Sequence, residues 1–286
     1  MKSKFAVSSE RKGVAMKIST FLMGTSVLAL SLFGLRGMAG QGHDNSSDDS
    51  DSDVQSACKL LPSYNQLKAA LVSAQSQMNG GFGLNMWGTV VNRDGVVCAI
   101  AFTGSDRGSQ WPGSRVISAQ KANTANAFSL TTLALSTANL YSAVQPGGSL
   151  FGLQASNPVN TRVAYRGDAT DYGKSNDPMV GGKIGGVNVF GGGLALYNAK
   201  AQLIGAVGVS GDSSCADHNI AWRTRHNLTL DYVPGGVSGD AARPDNIVYD
   251  ITNPAGFPIG VSAGGWGHPV CTPTATTIAA GLPPVR

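Results

Sequence analysis

From residue 58 onward the spacing of apolar side chains changes period several times, and each change marks a new element. Leu67, Ala70, Leu71 and Ala74 follow one another at i, i+3, i+4 and i+7, the stripe of an amphipathic helix. Ser63 precedes it as a cap, and Asn79-Gly80-Gly81 stops it near Met78. The period then drops to that of strands. Residues 83–102 predict a hairpin with Val90 and Val91 on one side of Asp94-Gly95 and Val96 and Val97 on the other. Those turn residues suit the positive φ angles of a type I′ turn. After a polar loop at 103–113, Ser114 is expected to cap a second helix whose Ile117, Lys121, Thr124 and Phe128 share a face. A short helix is expected near 136–142 and one more turn near 150–153. Residues 157–182 are polar and show no period. A loop that long without structure of its own is uncommon unless it has work to do, such as covering a pocket or meeting another subunit.

Between 181 and 211, glycines interrupt short runs of Val, Leu, Ile and Tyr. The stretch is too β-branched for a linker and too rich in Gly for a helix, so it predicts strands crossing the centre of a sheet. From Gln202 to Ser210 one side carries Ile204, Ala206, Gly208 and Ser210, small enough for a helix to pack close. The glycines at 181–186 and 191–193 are expected at a pocket mouth. Ser213 or Ser214 is expected to cap a last helix, with His218, Trp222 and His226 four residues apart. From 231 onward Pro and Gly dominate, predicting an extended tail that wraps the domain. The order predicts an α+β fold: a mostly antiparallel sheet of about five strands flanked by helices, with a long C-terminal extension.

Composition changes the picture at the N-terminus. Lys17, the apolar run at 18–35 and Gly37-Met38-Ala39 are the parts of a secretory signal peptide spanning 1–39. An uncleaved anchor helix is the competing reading. The six basic residues and one Glu of that segment take the totals from 21 basic and 17 acidic to 15 and 16. The formal charge of +4 therefore belongs to the leader. With no basic stripe interleaved with aromatics, nothing points to a nucleic-acid partner. Residues 40–57 are polar and acidic, with no apolar residue from 41 until Val54, and predict a disordered linker ahead of a domain at 58–230 and an extension at 231–286. A periplasmic or extracellular chain with four cysteines reads as disulfide-bonded. Their positions favour Cys58–Cys98 and Cys215–Cys271, the competing reading being a Cys215/His218 metal site.

Five segments occur in one order: VVNRDG at 90–95, AQKANTANAF at 119–128, PGGSLFG at 146–152, GAVGVSG at 205–211, and Asp217 with Ile220-Ala221. In kind and order they resemble the GlcG/HbpS family of haem-binding proteins over residues 60–230. The resemblance implies a profilin-like domain that assembles into homo-oligomers. It also implies a small tetrapyrrole partner, haem or alternatively a corrinoid, and places a family motif on Lys121 and Thr124. The acidic linker, the longer segment between Gly152 and Gly182 and the tail depart from the compact family pattern.

Haem iron takes His, Met, Tyr or thiolate ligands. With the cysteines paired, the candidates are His218, His226, His268, Met86, Met179 and the tyrosines, His218 and His268 being named for the iron itself. Propionates need cations or N–H donors, here Arg115, Lys121 and the backbone around Gly147 and Gly148, with Thr124 and Phe151 beside them. For Lys121 the competing reading is a side chain that snorkels to solvent. No C-x-x-C-H occurs, so any haem is held non-covalently. No catalytic constellation is found: residues 208–212 lack the last Gly of G-x-S-x-G, and 181–186 is no phosphate loop. Three readings result. The first is an exported tetrapyrrole-binding protein with no stable membrane anchor, its ligand lying against the glycine-rich sheet and the 114–130 helix. The others are an enzyme acting on haem or a small acid, and a structural or assembly module.

Overall fold

The computed structural model describes residues 56–256 and 260–286; the expected signal peptide and nearly all of the acidic linker lie outside the described residues. Helix α1 (Tyr64–Gln75) starts where Ser63 and Gln66 exchange side-chain and backbone hydrogen bonds in a capping box. Its stripe of Leu67, Ala70, Leu71 and Ala74 is buried. Strands β1 (Trp87–Asn92) and β2 (Val97–Phe102) form the expected antiparallel hairpin. The turn differs from expectation. Only Gly95 has positive φ, and its N–H donates to Asn92 O at 3.0 Å. The Asn92 side chain accepts from the N–H groups of Asp94 and Val96, both at 2.9 Å. That anchoring lets Asp94 keep an ordinary φ, so the turn is type I followed by a left-handed glycine.

Helix α2 (Ser114–Phe128) starts after Gly113 with no side-chain cap, so Ser114 is its first residue and not its cap, and it leads to 3-10 turns at Thr137–Leu140 and Ser142–Val144. The segment expected to be irregular holds single helical turns at Leu153–Ser156, Thr161–Ala164 and Ala169–Asp171. Strands β3 (Gly193–Tyr197) and β4 (Leu203–Ser210) then precede helix α3 (Ser214–Asn227). The sheet runs β2-β1-β4-β3 and is antiparallel throughout. It has four strands where about five were expected. The residues at 181–192 contribute isolated bridges only, Val96 to Lys183 and Val159 to Gly185. Positive φ at Gly181, Gly185, Gly186 and Gly192 breaks the extended run.

One sheet face packs under α1 and α3 through Leu67, Leu71, Val90, Val207, Val209, Ile220 and Trp222. The other packs against α2 and the 159–184 segment through Val91, Ile100, Val116, Ala119, Ala122, Met179 and Ile184. Each fully buried Leu or Ile contributes roughly 1.5–3 kcal/mol. The small face of β4 admits α2 as the sequence suggested: a Cβ on Gly208 would lie 2.5 Å from the Ala122 nitrogen and closer still to Ser118 O.

The extension is part of this core. After a two-stranded ribbon, β5 (Ile251–Thr252) with β6 (Val261–Ser262), it forms helix α4 (Pro273–Ala280). Ile247, Ala275, Ala279 and Leu282 are buried in the cluster beneath α3. Trp222 Nε1–H donates to Pro283 O at 2.9 Å, and Arg225 pairs with Asp245, both fully buried. The cysteines join as 58–98 and 215–271.

Candidate functional site

The residues expected to hold an anionic ligand are engaged within the protein. Arg115, buried at the start of α2, donates through Nε to Asp177 Oδ2 at 2.9 Å and pairs again with Oδ1 of the same carboxylate. Its Nη1 donates to Ala164 O at 2.7 Å, and its guanidinium lies 3.6 Å from the Tyr172 ring centroid. This arginine staples the 157–182 segment to α2. Lys121 neither snorkels nor faces a cavity. Its Nζ meets Asp217 Oδ2 at 2.7 Å and Val209 O at 3.3 Å, tying α2 to α3. Asp212 N–H donates to the other carboxylate oxygen at 2.9 Å. Burial pushes Asp217 up to about 6, against the pull of Lys121. Thr124 Oγ1 donates to Gln120 O and accepts from Asn188 N–H.

The described histidines are likewise drawn into the protein's own packing, each with at least one ring nitrogen partnered. His218 is buried, with Nε2 3.0 Å from Asn246 Oδ1, and desolvation lowers it to about 4. Its Nδ1 has no partner among the described residues. His226 sits at the far end of α3, with Nδ1 2.7 Å from Asp231 Oδ2, where Arg286 also binds. His268 comes from the extension and is buried at the N-terminus of α3. Its Nε2 is 2.7 Å from Ser214 Oγ, and its Nδ1 is 2.7 Å from Pro269 O. Burial lowers it to about 4. Met86 and Met179 are fully buried in separate cores. Gly147 and Gly148 line a cleft with Tyr141 and the β5–β6 ribbon, while Phe151 is exposed beyond it. The expected site residues thus do not converge on one cavity.

The glycines expected at a pocket mouth divide differently. A Cβ on Gly191 would lie 3.0 Å from His218 Cβ, one on Gly192 3.1 Å from Asp217 Cβ, and one on Gly193 2.5 Å from Thr137 Cγ2. These three allow elements to pack together. A Cβ on Gly185 would make only an ordinary contact with Pro158 O at 3.9 Å, and one on Gly186 would meet Gln120.

A different set of side chains does converge. A groove of about 380 Å³ is lined by Trp87, Pro112, Val116, Tyr165, Ala169 and Tyr172, with Arg107 and Arg115 beside them. Trp87 is fixed by an edge contact to Phe102 at 5.3 Å and by its Nε1–H donating to Trp111 O at 3.1 Å. Tyr165 is 59 % exposed, and Arg107 lies in the exposed 103–113 loop. The groove therefore offers aromatic walls, one solvent-facing guanidinium and the first turn of α2. A larger cleft, about 750 Å³, is lined by Lys59, Gln66, Ser73, Asn227 and Thr229 and lacks aromatic walls. Sequence reasoning singled out the long 157–182 segment and counted the tyrosines collectively as iron candidates, but did not join Tyr165 and Tyr172 into a site. The signal was available: aromatics stand out in a polar, aperiodic stretch. The Ser214–His268 contact had no such signal, since 54 residues separate the pair.

A family model described as HbpS-like haem degrading protein matches residues 64–225. Among solved structures, PduOC in complex with haem is 24% identical, covering 57% of this chain and 89% of that chain, with a TM-score of 0.39. Klebsiella pneumoniae protein ORFY is 27% identical, covering 57% and 86%, with a TM-score of 0.39. A double mutant of Streptomyces reticuli HbpS is 14% identical, covering 69% and 97%, with a TM-score of 0.35. No curated protein matches.

Proposed function

Because the chain belongs to the HbpS-like family of haem degrading proteins, we propose that it is an exported protein that binds haem or a related tetrapyrrole non-covalently. The family match over 64–225 carries this reading, since it spans both α2 and the walls of the aromatic groove. A tetrapyrrole is a flat apolar ring with anionic propionates. Tyr165 and Tyr172 wall the space such a ring would enter, over a floor of buried Trp87 and Val116, and Arg107 suits a propionate. The groove's volume falls within the roughly 300–1,000 Å³ of small-molecule sites. None of the described histidines lines this groove, so Tyr165 on the rim would be the iron ligand in this reading, a phenolate being an established haem ligand type.

Titrating the purified protein with haemin tests the proposal. A saturable Soret shift is expected, weakened by Trp87→Ala and spectrally altered by Tyr165→Phe. The family's description makes haem turnover the second reading, seen as loss of bound absorbance when reductant and oxygen are supplied. Export is tested by N-terminal sequencing of secreted protein, which is expected to begin after Ala39. Assembly into homo-oligomers belongs to the same proposal, and light scattering decides it.

A further inference from the structure

The Cys215–Cys271 disulfide, formed between α3 and the extension, has a third metal-ligating side chain beside it. His268 Nδ1 lies 4.0 Å from Cys215 Sγ, and one donor atom each from Cys215, His268 and Cys271 fall within 4.8 Å of one another. A tetrahedral ion held at about 2.3 Å by sulfur and about 2.0 Å by nitrogen needs donors roughly 3.5–3.8 Å apart; the imidazole already stands near that distance from Cys215 Sγ, and the two sulfurs, bonded to each other in the oxidised protein, part on reduction. The surroundings favour thiolates. Cys215 N–H points at Cys271 Sγ and Cys271 N–H at Cys215 Sγ, both at 3.2 Å. Cys215 stands in the first turn of α3, where the helix N-terminus lowers a thiol's pKa. Ser214 Oγ, 2.7 Å from His268 Nε2, is placed to accept from that nitrogen and so orient the ring from behind.

We propose that reduction of Cys215–Cys271 uncovers a site for a thiophilic divalent cation, zinc by its chemistry, built from both sulfurs and His268 Nδ1. The reductant is a thiol. Its thiolate attacks the exposed Cys271 sulfur, and the electron pair of the S–S bond leaves on Cys215 as a thiolate. A second thiolate then displaces Cys271, releasing the oxidised thiol pair as its own disulfide. In binding the ion, His268 Nδ1 gives up its contact with Pro269 O, and the imidazole proton resides on Nε2 facing Ser214. Two thiolates and a neutral imidazole leave a fourth position for water on the exposed Cys271 side. The ion then takes over the pinning of the extension that the disulfide performs when oxidised. This inference is independent of tetrapyrrole binding.

The test uses the full chain reduced with a phosphine and titrated with Co²⁺ and then Zn²⁺. One equivalent of Co²⁺ should produce thiolate-to-cobalt charge transfer and tetrahedral visible bands in reduced protein and none in oxidised protein, and Zn²⁺ should bleach them. Zn²⁺ should shield Cys215 and Cys271, but not Cys58 and Cys98, from alkylation mapped by mass spectrometry. Ser214→Ala should weaken Zn²⁺ binding by about tenfold or more, and His268→Ala by more than that. Circular dichroism of each reduced protein separates lost binding from lost folding. The alkylation map needs no variant. Absence of thiolate bands in reduced wild type, equal labelling of all four cysteines, or an unchanged spectrum in folded His268→Ala would each overturn the proposal.

Discussion

At the scale of single residues, the buried charged pairs Arg115–Asp177, Lys121–Asp217 and Arg225–Asp245 hold elements together. The Lys121–Asp217 pair is buried on both sides, so removing one partner strands the other in a dry interior. Lys121→Met should therefore cost about 3–5 kcal/mol, whereas Lys121→Met with Asp217→Leu should recover most of it. Urea unfolding measures both, and a Lys121→Met loss under about 1 kcal/mol would show that the pair is not buried as described. The two buried imidazoles give a pH dependence. His218 and His268 fall from 6.5 to about 4 on folding, so unfolding takes up protons below about 6.5. Asp217 rises from 3.8 to about 6 and acts in the opposite sense. Two groups against one mean that stability is highest above about pH 6.5 and falls as pH drops toward 4. Thermal melts at about pH 7 and pH 5 should show the lower midpoint at pH 5; an equal or higher midpoint there contradicts the burial of these rings. Reading His218 as a ligand group followed its residue type, and reading Lys121 so followed its residue type and the family motif placed on it. Their pairing depends on partners 96 and 28 residues away, which local pattern does not carry.

At the scale of elements, regular periodicity was legible and irregular backbone was not. The stripe of α1, the β1–β2 hairpin, the capping of α3 and the small face of β4 all follow from local spacing and chemistry. The fifth strand did not form because its glycines adopt positive φ, a choice that apolar composition cannot reveal. The extension was expected to wrap the domain, yet α4 also completes the core under α3 through Ala275 and Ala279. Its anchoring is therefore shared between the disulfide and packing. A Cys215→Ser/Cys271→Ser variant should lose about 4 kcal/mol by the loop-entropy relation for a 56-residue separation. It should still fold, because the bonds from Trp222, Arg225 and Asn219 to the extension remain. Guanidinium denaturation measures the loss. A variant already unfolded without denaturant would mean that the sulfurs alone hold α4 in place.

At the scale of the whole molecule, the α+β architecture and the family were readable from five ordered segments, but the cavity was not. The groove forms only when Trp87 of β1, Val116 of α2 and Tyr165 and Tyr172 of the 157–182 segment meet, and Arg115 brings them together through Asp177 and Ala164. Arg115 was singled out for a ligand, and its observed work is to build the wall of this groove. The central claim is that this groove holds a tetrapyrrole, and haemin titration of wild type beside Trp87→Ala tests it most directly. The account predicts a saturable Soret shift in wild type, clearly weakened in a folded Trp87→Ala variant. No shift at micromolar haemin, or identical binding by the two proteins, would contradict it.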